Sequence, residues 1–330
     1  MKLDFGPVLA IALAFAVPLA AFGATHAPES VRIAGHEYLR LTDWARANEL
    51  ALSWVKRDET LQLSNASTRL LLQLHTPEVW VNGVKVRLLF SLAQQNEMVL
   101  LSQADAQNTL RPLLSPARGR PGAKLASICL DPGHGGKDPG FMVGSNAEKR
   151  YTLLLALELR DQLQRAGWKV TLTRSTDAAL ELPTRPSTAN RQKTDLFVSL
   201  HFNSVENSPG TVQGAEVYCL PPAGAPSTNS RGEGGGSGWF AGNKQNDQNL
   251  LLAYELQQAL TRGLGIEDRG VHRARYAVLR DATMPAVLVE AGYMSHPNEG
   301  KKIFTAAYRR QIAQAVVSGL AAYKEVVERR

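Results

Sequence analysis

A chain of 330 residues with 44% hydrophobic and 20% charged residues carries enough apolar material for about two globular units, which excludes a disordered polymer. Its formal net charge of +7 is spread along the chain, with a local cluster at Arg118, Arg120 and Lys124. No basic patch with interleaved aromatics marks a nucleic-acid surface. The charge suits an acidic surface or polymer as partner, or solubility alone.

Lys2 precedes an apolar run at residues 8–22 (VLAIALAFAVPLAAF), and Ala21 and Gly23 offer small residues for cleavage. Pro18 interrupts a run already short of the ~20 apolar residues of a membrane span. The reading is an export leader over 1–23, a mature chain from about Ala24 and no stable span thereafter. Asp4 weakens the positive end and leaves an uncleaved anchor as the alternative.

Residues 30–114 read as a small, β-rich α+β domain. In "EVWVNGVKVRLL" apolar and polar residues alternate on both sides of Asn82-Gly83, a dipeptide that tolerates the positive φ of a tight hairpin. "TLQLSN" and "RLLLQLHT" are further strands. "LTDWARANEL" and "ADAQNTLRPLL" are short helices, the second expected to be capped by Asp105. No cluster of His, Cys or carboxylates occurs here, so a binding or spacing role is expected. "VRIAGHEYLRLTDWARANEL" faintly resembles the N-terminal domain of copper amine oxidases, without implying a metal site.

Residues 115–124 (SPARGRPGAK) form a linker, after which strands alternate with longer helices over 125–328. "KLASICL" suits a strand buried on both faces. "KRYTLLLALELRDQLQRAG" is helical, with Leu155, Leu159 and Leu163 on one face and Gly167 as a stop. "WKVTLTR", "DLFVSLH", "AEVYCL" and "PAVLVEAG" are strands, and a last helix runs from Thr305 to Glu328. The alternation predicts an α/β fold, a mainly parallel twisted sheet with helices on both faces. Cys129 and Cys219 lie in apolar strands and read as buried thiols, although export would permit a bridge. The Gly-rich stretch 221–246 cannot sustain a helix and is expected to be a mobile loop carrying Trp239 and Phe240.

Functional groups of open α/β sheets collect beyond the carboxyl ends of the strands. Four candidates stand there: His134 after "ICLD", Glu148 at the start of the first long helix, His201 closing "LFVSLH" and Glu290 closing "AVLVE". Two imidazoles and one carboxylate make a catalytic zinc site, and a further carboxylate can move the proton of an attacking water. Spacing leaves open which glutamate ligates.

Residues 125–323 resemble the zinc-dependent N-acetylmuramoyl-L-alanine amidases. The likeness runs in order through "LDPGHGGKDPG", "EKRYTLLLALELRDQL", "VTLTRSTD", "LPTRPSTAN", "DLFVSLHFNS", "GAEVYCL" and "AVLRDATMPAVLVEAGYMSHPNE". It implies His134, Glu148 and His201 as zinc ligands and Glu290 as the catalytic glutamate. It also implies cleavage of the amide between the lactyl group of N-acetylmuramic acid and L-alanine. Asn203, Arg185 and Arg280 fall on family positions and are assigned support or substrate contact. Asp131 is assigned ligand orientation or turn closure.

Peptidoglycan is the implied partner, with an envelope activator or scaffold as a candidate for residues 30–114 and the periplasm or cell envelope as the location. His296 departs from the family's usual Asn at a position that concerns local turn structure. Some relatives carry a plugging helix near 221–246; the composition here argues against one. A non-catalytic wall-binding protein and a zinc hydrolase of another amide are the competing readings.

Overall fold

A computed structural model of the chain describes residues 30–117, 124–206, 210–228 and 238–329. The expected leader, most of the linker and the centre of the Gly-rich stretch lie outside these residues.

The N-terminal unit comprises β1 (Ser30–Ile33), β2 (His36–Arg40), α1 (Leu41–Ala47), β3 (Ala51–Lys56), β4 (Thr60–Ser64), β5 (Arg69–Gln73), β6 (Glu78–Val81), β7 (Val84–Arg87), β8 (Ala93–Gln95) and β9 (Met98–Ser102). It ends in α2 (Gln103–Asp105), a π-helical turn (Ala106–Leu110) and α3 (Arg111–Leu114). The hairpin β6–β7 turns at Asn82 and Gly83, with φ of +49° and +85°. The helix at 103–114 is capped by Ser102, whose Oγ accepts from the Asp105 backbone N–H at 2.9 Å. Asp105, expected as the cap, is instead buried and reaches back into the preceding loop. Its carboxylate accepts from the backbone N–H groups of Leu89 at 2.8 Å and Phe90 at 3.0 Å, and from the Ser102 and Thr109 hydroxyls at 2.7 Å.

The second unit comprises β10 (Ser127–Pro132), β11 (Met142–Val143), β12 (Asn146–Ala147), α4 (Glu148–Arg165), β13 (Lys169–Leu172), α5 (Thr184–Gln192), β14 (Leu196–Asn203), β15 (Ala215–Cys219), α6 (Asn246–Leu264), β16 (Asp268–Arg273), α7 (Ala277–Arg280), β17 (Ala286–Tyr293), α8 (Pro297–Ile303) and α9 (Ala306–Glu328). Its strands lie in the order β13-β10-β14-β17-β15-β16 and are parallel except for the β15–β17 pair. β7 then pairs parallel with β16, so the sheet continues through β7-β6-β5-β4-β3 to eleven strands. β1, β2, β9 and β8 form a separate antiparallel sheet.

Alternation along the strands separates two faces. Val198, Leu200, Val287 and Val289 pack in the larger core with α4, α6 and α9, continuous with Leu61, Leu63, Leu70 and Leu72 of the N-terminal unit. Phe197, Ala286 and Leu288 face the smaller core with α7. Cys129 belongs to the smaller core and Cys219 to the larger, on strands separated by β14 and β17. Both are free and buried, and burial pushes their thiols up to about 12 and about 11.

Other expectations shift at their edges. β14 and β17 do not stop at His201 and Glu290 but run on to Asn203 and Tyr293. The stretch read as loop to residue 246 closes earlier, in a 3-10 turn at Ala241–Gln245 that leads into α6. Phe240 packs against the smaller core and under the Arg280 guanidinium, 5.5 Å from its ring, while Trp239 is exposed. His296 caps α8, its Nδ1 accepting from the Glu299 backbone N–H at 3.2 Å. No helix among the described residues is long and apolar enough to cross a membrane.

Candidate metal centre

The loop after β10 is held in a conformation that most residues avoid. His134 has φ +61°, followed by Gly135 at +130° and Gly136 at +59°. The left-handed region costs a non-glycine residue about 1 kcal/mol, so the neighbours must fix His134 there. Two buried arginines do so by donating to the loop's carbonyls. Arg174 donates to Pro132 O at 3.0 Å and Gly133 O at 2.7 Å. Arg185 donates to Pro132 O and His134 O at 2.9 Å. Asp131 is fully buried behind the loop and accepts from Arg185 at 2.8 Å, Ser199 at 2.8 Å and Thr173 at 2.6 Å. Asp131 therefore acts on His134 through Arg185 and the backbone.

Glu148, only 4% exposed, sits at the first turn of α4. Its Oε2 accepts from the Phe141 N–H at 3.0 Å and its Oε1 from the Phe202 N–H at 3.2 Å. His134 Nε2 stands 3.1 Å from Oε2, and His201 Nδ1 stands 3.1 Å from Oε1. The two imidazoles meet edge-on with centroids 4.9 Å apart. His134, Glu148 and His201 thus offer ligand atoms that all lie within 4.8 Å of one another.

The donor set fits a divalent metal. His134 Nδ1–H donates to Asp138 Oδ2 at 2.8 Å, so a neutral ring turns its Nε2 lone pair towards the Glu148 carboxylate. Two acceptors that converge in this way need a cation between them, a proton or a metal. The protonation tendencies say the same. Burial disfavours the His134 cation, but hydrogen bonds with Glu148 and Asp138 outweigh it and raise the pKa. Burial would likewise raise Glu148, yet its bonds to His134 and His201 drive it well below the carboxylate range. Space is tight: a Cβ at Gly140 would lie 2.6 Å from Glu148 Oε2 and 2.7 Å from His134 Cδ2.

Glu290 lies opposite His201 in the β14–β17 ladder, and both line the same cavity of about 300 Å³ as His134 and Glu148. Asn203 lines it too, donating to Glu216 and, at 3.2 Å, to the Tyr293 hydroxyl. Arg280 is outside this lining and braces Phe240 instead. Asp138, Arg174 and Glu216 are not among the candidates that the sequence offers. Asp138 stands in the "KDPG" that ends the His134 loop, a visible signal, whereas Arg174 and Glu216 acquire their roles only from neighbours distant in the chain.

An α/β sheet brings two histidines and a buried carboxylate together at its edge, with a further glutamate on the next strand, in a group that could hold a metal ion. The sequence pattern of the N-acetylmuramoyl-L-alanine amidases matches residues 128–322, and the chain belongs to this family. N-acetylmuramoyl-L-alanine amidase AmiC of Neisseria meningitidis serogroup B is 35% identical over 243 residues, which cover 66% of this chain and 56% of that protein. The chain thus spans little more than half of that relative's length. N-acetylmuramoyl-L-alanine amidase AmiA of Escherichia coli is 32% identical over 251 residues, covering 68% of this chain and 86% of that protein. Among solved structures, the amidase AmiC2 of Nostoc punctiforme superposes with a TM-score of 0.51 at 31% identity, covering 61% of this chain and 98% of that one.

Proposed function

We propose that this chain is a zinc-dependent N-acetylmuramoyl-L-alanine amidase. The observation that carries the reading is the convergence of His134, Glu148 and His201 beside Glu290 in one cavity. His134, Glu148 and His201 would hold the metal. Bound zinc supplies Lewis acidity, which polarises a carbonyl and acidifies water. Glu290 receives the proton of the attacking water on its carboxylate and delivers it to the alanine nitrogen as the C–N bond breaks. Asp138 fixes the His134 tautomer, and Arg174 and Arg185 keep the loop rigid. The products are the lactyl carboxylate of the glycan and a free stem peptide.

On this reading the substrate is peptidoglycan, and the protein would work in the periplasm or cell envelope, with residues 1–23 as its export leader. The expected absence of a plugging helix in 221–246 falls on residues 229–237, which lie outside the described ones. An envelope activator or scaffold would engage residues 30–114.

Glu290→Gln tests the roles. It should retain zinc near one equivalent and lower turnover of a muramoyl peptide by about 100-fold or more. A chelator should abolish the wild-type reaction. Near-full activity of Glu290→Gln would overturn the role given to Glu290.

A further inference from the structure

A second cavity, of about 240 Å³, adjoins the metal cavity and shares Asn203, Tyr276 and Glu290 with it. Its far wall carries Arg87, Arg269 and His272. Arg269 and His272 come from β16, but Arg87 ends β7 of the N-terminal unit. The sheet register places it there. Val86 pairs with Val271 in parallel, so the next residues, Arg87 and His272, stand side by side. Tyr218 pairs with His272, and Glu216, two residues before Tyr218, pairs with Glu290. One face of the sheet therefore runs from His201 through Glu290 and Glu216 to Arg87.

The charges on this face are unequally engaged. Glu216 accepts from Asn203 Nδ2, from the Tyr218 hydroxyl at 2.9 Å and from the Tyr293 hydroxyl at 3.1 Å, with Arg269 Nε 3.6 Å away. Its negative charge is well compensated. Arg87 is not so placed: its ion-pair partner among the described residues is Glu78, at 3.9 Å, and its buried Nε has no hydrogen-bond partner there. A half-buried guanidinium without a close acceptor favours an anionic ligand.

Substrate chemistry decides which part of the polymer that ligand is. On the proposed amidase reading, the lactyl carboxyl is consumed in the scissile amide, which leaves the aminosugar backbone without a carboxylate. The stem peptide retains free carboxylates. We propose that the second cavity is the stem-peptide subsite and that Arg87, with Arg269, pairs with a peptide carboxylate close to the alanine. The N-terminal unit then completes the substrate site, and Arg87 determines specificity.

The test uses the zinc-loaded full chain and two L-alanyl-γ-D-glutamyl peptides, one with a free glutamyl α-carboxylate and one with a carboxamide. Calorimetry should show the wild type preferring the carboxylate by about tenfold or more, as one charge-assisted bond implies. Arg87→Gln should reduce that preference to about one, and Arg87→Lys should retain most of it. Equal binding of the two peptides by the wild type, or an unchanged preference in Arg87→Gln, overturns the proposal. The readout is binding, so it stands apart from the amidase reading, which fails if neither of the corresponding muramoyl peptides is cleaved. Cleavage of both at equal kcat/KM would sink the subsite alone.

Discussion

The His134 loop shows how single residues set the chemistry. Gly140 has φ +64° and lies against both Glu148 and His134, so a methyl group there meets strain and collision together. Gly140→Ala should fold but bind zinc at least about tenfold more weakly, since a misplaced ligand costs upwards of 1.4 kcal/mol. Metal competition against a chelating dye reads this directly, and unchanged affinity would refute it. His272 makes a different prediction. Its burial disfavours the cation, and although Glu216 opposes this, the nearby Arg87 and Arg269 reinforce it, so its pKa falls below the ordinary value. Below about pH 6.5 an unfolded histidine binds a proton that the folded His272 refuses. Its contribution is complete above that pH and is lost as pH falls through the folded value. Urea midpoints measured from pH 7.5 downwards should decline less steeply in His272→Gln than in the wild type. Identical slopes would contradict the assignment.

At the scale of elements, what the sequence reveals depends on how many neighbours an element has. β10, β14 and β17 are buried strands whose mainly apolar runs lead to His134, His201 and Glu290 and so point to them in the sequence, although β14 and β17 continue past those residues. The β6–β7 hairpin is legible because Asn82-Gly83 carries its turn. α6 is not legible in the sequence: Leu250, Leu251, Leu252 and Ala253 are all buried and break any single-face period. The cause is its position, packed on the sheet, on α9 and on the N-terminal unit, where the Tyr254 hydroxyl donates to Val81 O at 3.1 Å. β16 hides for the opposite reason, its polar "DRGVHR" being satisfied from other elements; Arg273, for example, donates to Asn108 O at 2.7 Å. Asp105 reads as a helix cap from its position, but the backbone N–H groups that donate to its carboxylate lie on a loop 15 and 16 residues back. Asp105→Ala would strand those buried N–H groups and should cost about 3 kcal/mol of stability. A loss below about 1 kcal/mol in equilibrium unfolding would show that water replaces the carboxylate.

Across the whole molecule, the joined sheet is what composition and motif spacing could not show. Residues 30–114 read as a small binding or spacing domain ahead of a linker, yet β7 extends the sheet of the second unit and brings Arg87 to the cavity beside Glu290. The same sheet edge gathers His134, Glu148 and His201 from separated parts of the chain, so the site exists only in the folded protein. In the proposed reaction this gathered site cuts one bond, between the lactyl group and L-alanine. Mass analysis of the soluble products from purified sacculi tests it most directly. Free stem peptides beginning with L-alanine and intact, peptide-free glycan are expected, formed by the zinc-loaded protein and not by Glu290→Gln. Muropeptides still carrying their stem peptides, or products equally abundant with Glu290→Gln, would contradict it.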